Sequence, residues 1–135
     1  MSVKHLDHIN LSTSNLDVTC DWYGRVFGFD EVERGVWNGI PWRIIRSGEA
    51  MLCLYEKAGF SLPSSDERQE IGALGINHFA LRIEDVDTWK EKVASEDVNL
   101  WHGPIDYPAS TSWYVNDPAG YEVEVVHWNG DRVSF

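Results

Sequence analysis

The chain has 135 residues and a formal net charge of −11, with 11 Lys and Arg against 22 Asp and Glu. That length suits one compact domain with its own core, and so acidic a chain argues against nucleic acid or an anionic membrane as partner, because both require a basic footprint. The N-terminus MSVKHLDHIN lacks a basic stretch leading into an apolar one, and the longest apolar run, Ala50 to Tyr55, falls far short of the roughly 20 residues of a membrane helix; a soluble, cytoplasmic protein is expected.

Along the chain, a strand at about 5–11 leads to Ser14, which with Asp17 three residues on reads as a capping box. Leu16, Cys20, Tyr23 and Phe27 then recur at helical spacing up to Gly28. Three short strands follow near 30–36, 41–46 and 50–56, punctuated by Asn38-Gly39 and Ser47-Gly48, which suit hairpin turns. The stretch from Gly59 to Gly75 is polar and rich in Ser, Pro and Gly and predicts a linker or surface loop. Beyond it come a strand at about 76–83, a helix opened by Asp85 with Val86, Trp89 and Val93 on one face, and strands near 98–102, 111–116 and 121–127. Asn116 to Gly120 forms the last tight turn. Cys20 and Cys53 lie in no C-x-x-C or disulfide framework and are read as reduced thiols.

The second series copies the first. At an offset of 70, Leu6-Asp7-His8-Ile9-Asn10-Leu11 lies over Ile76-Asn77-His78-Phe79-Ala80-Leu81, and Asp17 over Asp87. Near the ends the offset becomes 71, matching Trp42 to Trp113 and Met51-Leu52-Cys53-Leu54 to Glu122-Val123-Glu124-Val125. Strand parity puts the equivalent positions 8, 53, 78 and 124 on the face away from the helices. Three of the four, His8, His78 and Glu124, are good ligands for a borderline or hard divalent ion such as Zn, Ni, Fe, Co or Mn, and three protein ligands leave room for substrate. Cys53 is a candidate fourth ligand, although between Leu52 and Leu54 it also reads as a small buried hydrophobe. Glu56 shares the parity of those leucines and should face away from the site. The seven tryptophans either fill the core or line a small-molecule pocket, for which Trp37, Trp42, Trp101 and Trp113 are candidates together with Asn10, His102, Ser112 and Tyr114.

These residues resemble the vicinal oxygen chelate superfamily, which includes glyoxalase I, fosfomycin- and bleomycin-resistance proteins and extradiol dioxygenases. The resemblance rests on the two His-containing strands, on Trp22-Tyr23 and Phe27-Gly28-Phe29, and on Asp117-Pro118-Ala119-Gly120-Tyr121-Glu122-Val123-Glu124. It implies an α+β fold of two tandem βαβββ modules forming an incomplete mixed β-barrel with flanking helices. Module one would span about 3–57, a linker about 58–74 and module two about 75–135, all within a single domain. It further implies one divalent metal ion per site and a homodimer.

Glyoxalase I carries a glutamate where this chain has Cys53, so proton transfer would fall to Glu124 as the catalytic residue or to hydroxide on the metal. Fosfomycin-resistance proteins are similar in having two histidines and one glutamate, and their phosphonate-contacting serine and tyrosine match Ser112 and Tyr114. Their threonine and lysine, however, are here Asn10 and His102. The expected function is a metal-dependent, glyoxalase-like lyase or isomerase, in which the ion chelates two oxygens of a small substrate and stabilises an enolate or alkoxide. A fosfomycin-type thiol transferase and an extradiol dioxygenase are alternatives within the resemblance. A metal-free, non-catalytic drug-binding protein, of the kind that confers bleomycin resistance, is the alternative from another class.

Overall fold

A computed structural model describes residues 1–73 and 75–131. In chain order these form β1 (Ile9–Thr13), α1 (Leu16–Phe27), β2 (Asp30–Trp37), β3 (Ile40–Ser47), β4 (Ala50–Glu56), α2 (Ser65–Glu70), β5 (Phe79–Arg82), α3 (Val86–Ser95), β6 (Asn99–Asp106), β7 (Ser110–Asn116) and β8 (Glu122–Trp128). The chain divides into two compact units, Met1–Ser61 and a second beginning at Leu62, and the break falls inside the predicted linker. Each unit has its own four-stranded mixed sheet, ordered β1-β4-β3-β2 and β5-β8-β7-β6. The fold is therefore α+β, with one strand order used twice and neither sheet closed on itself.

In the first unit α1 lies on β3 and β4. Its Leu16, Trp22, Tyr23 and Val26 are buried, as are Leu11, Ile45, Leu52 and Leu54 of the sheet. Each such aliphatic side chain contributes roughly 1.5–3 kcal/mol relative to exposure. The N-cap of α1 is Asn15, one residue beyond the expected Ser14: its side chain accepts from the Val18 amide at 3.0 Å. Gly28 ends the helix in the left-handed region at φ 67°, which a side chain would strain. Asn38 and Gly39 both take positive φ, the conformation of a tight type I′ hairpin, and set the register Trp37↔Ile40.

In the second unit Asp85 caps α3 by accepting from the Thr88 amide at 2.9 Å. Trp89 of α3 meets Trp113 of β7 edge-on at 6.3 Å, and Phe79, Val115, Val123 and Val125 are buried. Three expectations shift. Strands β1 and β5 begin at Ile9 and Phe79, so His8 and His78 each sit one residue before their strand. The predicted linker contains α2, opened by a full capping box between Ser64 and Glu67. Finally, β6 does not stop at 102: the ladder skips between His102 and Ile105, which accommodates Pro104 without a lost amide bond, and pairing resumes at Ile105↔Ser112.

Candidate metal and substrate site

The two ladders share one register. Asn10 lies opposite Cys53 in β1–β4, and Ala80 opposite Glu124 in β5–β8, with His8 and His78 two residues before Asn10 and Ala80. The sequence offset that paired Trp42 with Trp113 is one residue out. Trp42 lies opposite Tyr55 as Ser112 lies opposite Val126, so Ser112 is the positional counterpart of Trp42. Trp113 instead pairs with Val125 and turns its ring to α3.

In the second unit a chain of polar contacts runs through one imidazole. His78 Nε2 is 3.1 Å from Glu124 Oε2, and His78 Nδ1 is 3.2 Å from Glu122 Oε1. Ser112, fully buried, donates to Glu124 Oε1 at 2.6 Å, which leaves Oε2 as the oxygen facing the histidine. Ser65 of α2 donates to Glu122 Oε2 at 2.9 Å. The alternation of β8 puts both carboxylates on one side of the strand. Asp117 fixes the turn into that strand by accepting from the Ala119 and Tyr121 amides, both at 2.9 Å.

Aromatic rings line this pair. Tyr114 meets His78 edge-on at 5.6 Å and leans on His102 at 5.8 Å, and His102 stacks on the exposed Trp101 at 5.4 Å. The Tyr114 phenol is held well above its usual range, first by burial, then by its hydrogen bond with Tyr107 and the negative charge of Glu124. It therefore remains a neutral hydrogen-bond donor near neutral pH. Beside these rings, a cavity of about 210 Å³ is lined by Ser64, Ser65, Asp66, Trp101, Asn116 and Glu122.

In the first unit His8 is exposed, with Nδ1 2.8 Å from Asp7 Oδ2 and Nε2 turned away from that contact. The same hydrogen bond holds the Asp7 carboxyl below the usual carboxylate range. Cys53 is half-buried and its thiol is pushed up, first by burial and then by the charge of Asp7, so it is a poorer thiolate donor than a free cysteine. Glu56 does face away: its Oε2 accepts from the Leu16 amide at 2.9 Å and caps α1. Asn10 is exposed on β1, Trp37 stands exposed at the hairpin tip, and the half-buried Trp42 covers Gly35, where a Cβ would fall 2.6 Å from its ring.

Two donors each about 2.1 Å from one ion at a near-tetrahedral angle stand roughly 3.4 Å apart. The 3.1 Å between His78 Nε2 and Glu124 Oε2 is close to that edge, so this imidazole and carboxylate fit a shared divalent ion. They supply two donors. Among the described residues no group of three His, Cys, Asp or Glu side chains is gathered as a ready-made metal cluster. Glu122 as a partner of His78 was not read from the sequence, although it stands two residues before Glu124 and so shares its side of β8. Nor could Ser65 be read from it, since that residue reaches the site only because α2 forms.

A duplicated strand–helix–three-strand unit with one sheet order used twice defines the paired-module α+β class. The profile of the Glyoxalase/Bleomycin resistance protein/Dioxygenase superfamily matches residues 5–125, and the chain belongs to that superfamily. Among solved structures it is similar to a glyoxylase/bleomycin resistance protein/dioxygenase domain from Frankia sp. EAN1pec, with 17% identity, a TM-score of 0.76, and 94% of this chain and 99% of that one covered. It is similar to TnmS3, an antibiotic binding protein from Streptomyces sp. CB03234, at 19% identity and a TM-score of 0.71, covering 95% and 98%. It also resembles FosX, a genomically encoded fosfomycin resistance protein from Listeria monocytogenes, at 19% identity and a TM-score of 0.71, covering 93% and 94%. At these identities the likeness is one of fold. No curated protein sequence matches the chain. Among the described residues no helix is long and apolar enough to cross a membrane.

Proposed function

We propose that the protein is a metal-dependent enzyme of glyoxalase-like lyase or isomerase type, acting in the cytoplasm as a homodimer on a small molecule with two adjacent oxygens. The observation that carries this reading is the His78–Glu124 pair at 3.1 Å, with the far oxygen of Glu124 occupied by Ser112. His78 and Glu124 would hold one divalent ion, Zn, Ni, Fe, Co or Mn, with His8 nominated by repeat equivalence as third ligand and Cys53 as a possible fourth. When bound, such an ion supplies Lewis acidity toward a substrate oxygen. Glu124, held in place through Ser112, is also the residue that would accept the substrate proton. The neutral Tyr114 phenol donates to a substrate oxygen, while Trp101 and His102 offer flat surfaces to an apolar or aromatic portion.

Metal analysis after loading with zinc or cobalt tests this reading. Native protein should retain about one ion per chain, and His78→Ala and Glu124→Gln should each lose most of it, together with any turnover of a thiol hemithioacetal. A second reading, a drug-binding protein that needs no metal, is favoured by the run of rings from His78 to the exposed Trp101. Metal-free protein that binds an aromatic antibiotic equally well with and without His78→Ala would establish it and overturn the first.

A further inference from the structure

Glu122 is not needed to supply a metal donor in the reading above, yet it is as sheltered as Glu124, each side chain being 11% exposed. One of its oxygens accepts from Ser65 and the other lies 3.2 Å from His78 Nδ1. His78 lies between two carboxylates, Glu124 Oε2 at 3.1 Å from Nε2 and Glu122 Oε1 at 3.2 Å from Nδ1, and its Nε2 can offer a lone pair to a cation only while Nδ1 carries the proton, a state that a carboxylate at Nδ1 favours. We propose that Glu122 is the positioning residue of this site: it keeps the proton on His78 Nδ1 and turns the Nε2 lone pair toward Glu124 and a cation held there.

The first unit solves the same problem with a different residue, which is the independent support. His8 Nδ1 also meets a carboxylate, at 2.8 Å, but that group is its chain neighbour Asp7. The repeat counterpart of Asp7 is the uncharged Asn77, and the counterpart of Glu122 is the uncharged Met51. Each unit thus places one carboxylate on Nδ1 of its histidine, from positions that are not equivalent. In the first unit that leaves Nε2 turned away from Asp7, and in the second it leaves Nε2 toward Glu124, 3.1 Å away.

This inference rests on the metal reading, and its test separates the two. Zinc affinity is measured by chelator competition for native protein, Glu122→Leu, Glu122→Gln and His78→Ala, with the His78 ring nitrogens followed by ¹⁵N–¹H correlation spectra assigned through His78→Ala. Glu122→Leu should bind zinc about 10–100-fold more weakly and lose the protected Nδ1–H signal. Glu122→Gln, which keeps an acceptor but no charge, should recover most of both; a purely electrostatic role would leave it as weak as Glu122→Leu. Native affinity with an unchanged Nδ1–H signal in Glu122→Leu overturns the proposal, while loss of zinc in His78→Ala would still uphold the metal reading. If His78→Ala binds zinc as native protein does, the metal reading fails. The ring-nitrogen spectrum of metal-free protein then decides the role of Glu122 alone, a persistent Nδ1–H in Glu122→Leu counting against it.

Discussion

A single hydroxyl governs the behaviour of Glu124. Ser112 is fully buried and its Oγ is 2.6 Å from Glu124 Oε1, the short distance of a bond to a charged acceptor. Replacing Ser112 by Ala removes that donor from a largely buried carboxylate, and the expected cost is about 1.5–3 kcal/mol, read as a lower urea midpoint with unchanged slope. A native midpoint would mean that Glu124 finds another partner. Resemblance nominated Ser112 and Tyr114 as substrate contacts. The pairing of Ser112 with Glu124 was not legible, because it depends on β7 and β8 being adjacent and in one register.

Among the elements, α1 shows how a carboxylate of suitable chemistry is committed to structure. Its N-terminus is closed by the N-cap Asn15, just ahead of the helix, and by Glu56 from β4, which satisfies the Leu16 amide. Glu56→Ala should cost about 1 kcal/mol and speed hydrogen exchange at Leu16, while zinc binding stays native; weaker zinc binding would place Glu56 at the metal instead. Parity along β4 had anticipated its direction, and hydrophobic period together with Gly28 and Asp85 marked both long helices. What escaped was local competition between signals. The capping residues Ser64 and Glu67 sit in a Ser- and Pro-rich stretch that reads as a loop, and Gly103-Pro104 reads as a strand end although the ladder skips past it. Gly103 has φ +101°, and a Cβ there would meet the Ser112 carbonyl at 2.7 Å, so only glycine lets β6 pass so close to β7.

At the scale of the molecule, a charge of −11 on 135 residues makes the native state repel itself, and mobile ions should relieve that repulsion. Raising NaCl from about 0.02 to 0.5 M is expected to raise the melting temperature by roughly 2–4 °C, measured by calorimetry on metal-free protein. A fall would show that attractive ion pairs dominate instead. The two sheets share one register but differ in the side chains that occupy it. Cys53 occupies the place of Glu124, but the place of Ser112 is taken by Trp42. A carboxylate placed at 53 would have Ile44 opposite it and no hydroxyl at the position from which Ser112 serves Glu124. A carboxylate held there as Glu124 is held would need a hydroxyl at 42 as well as the acid at 53. The serine–carboxylate pair of the second unit is therefore not something one substitution can copy into the first.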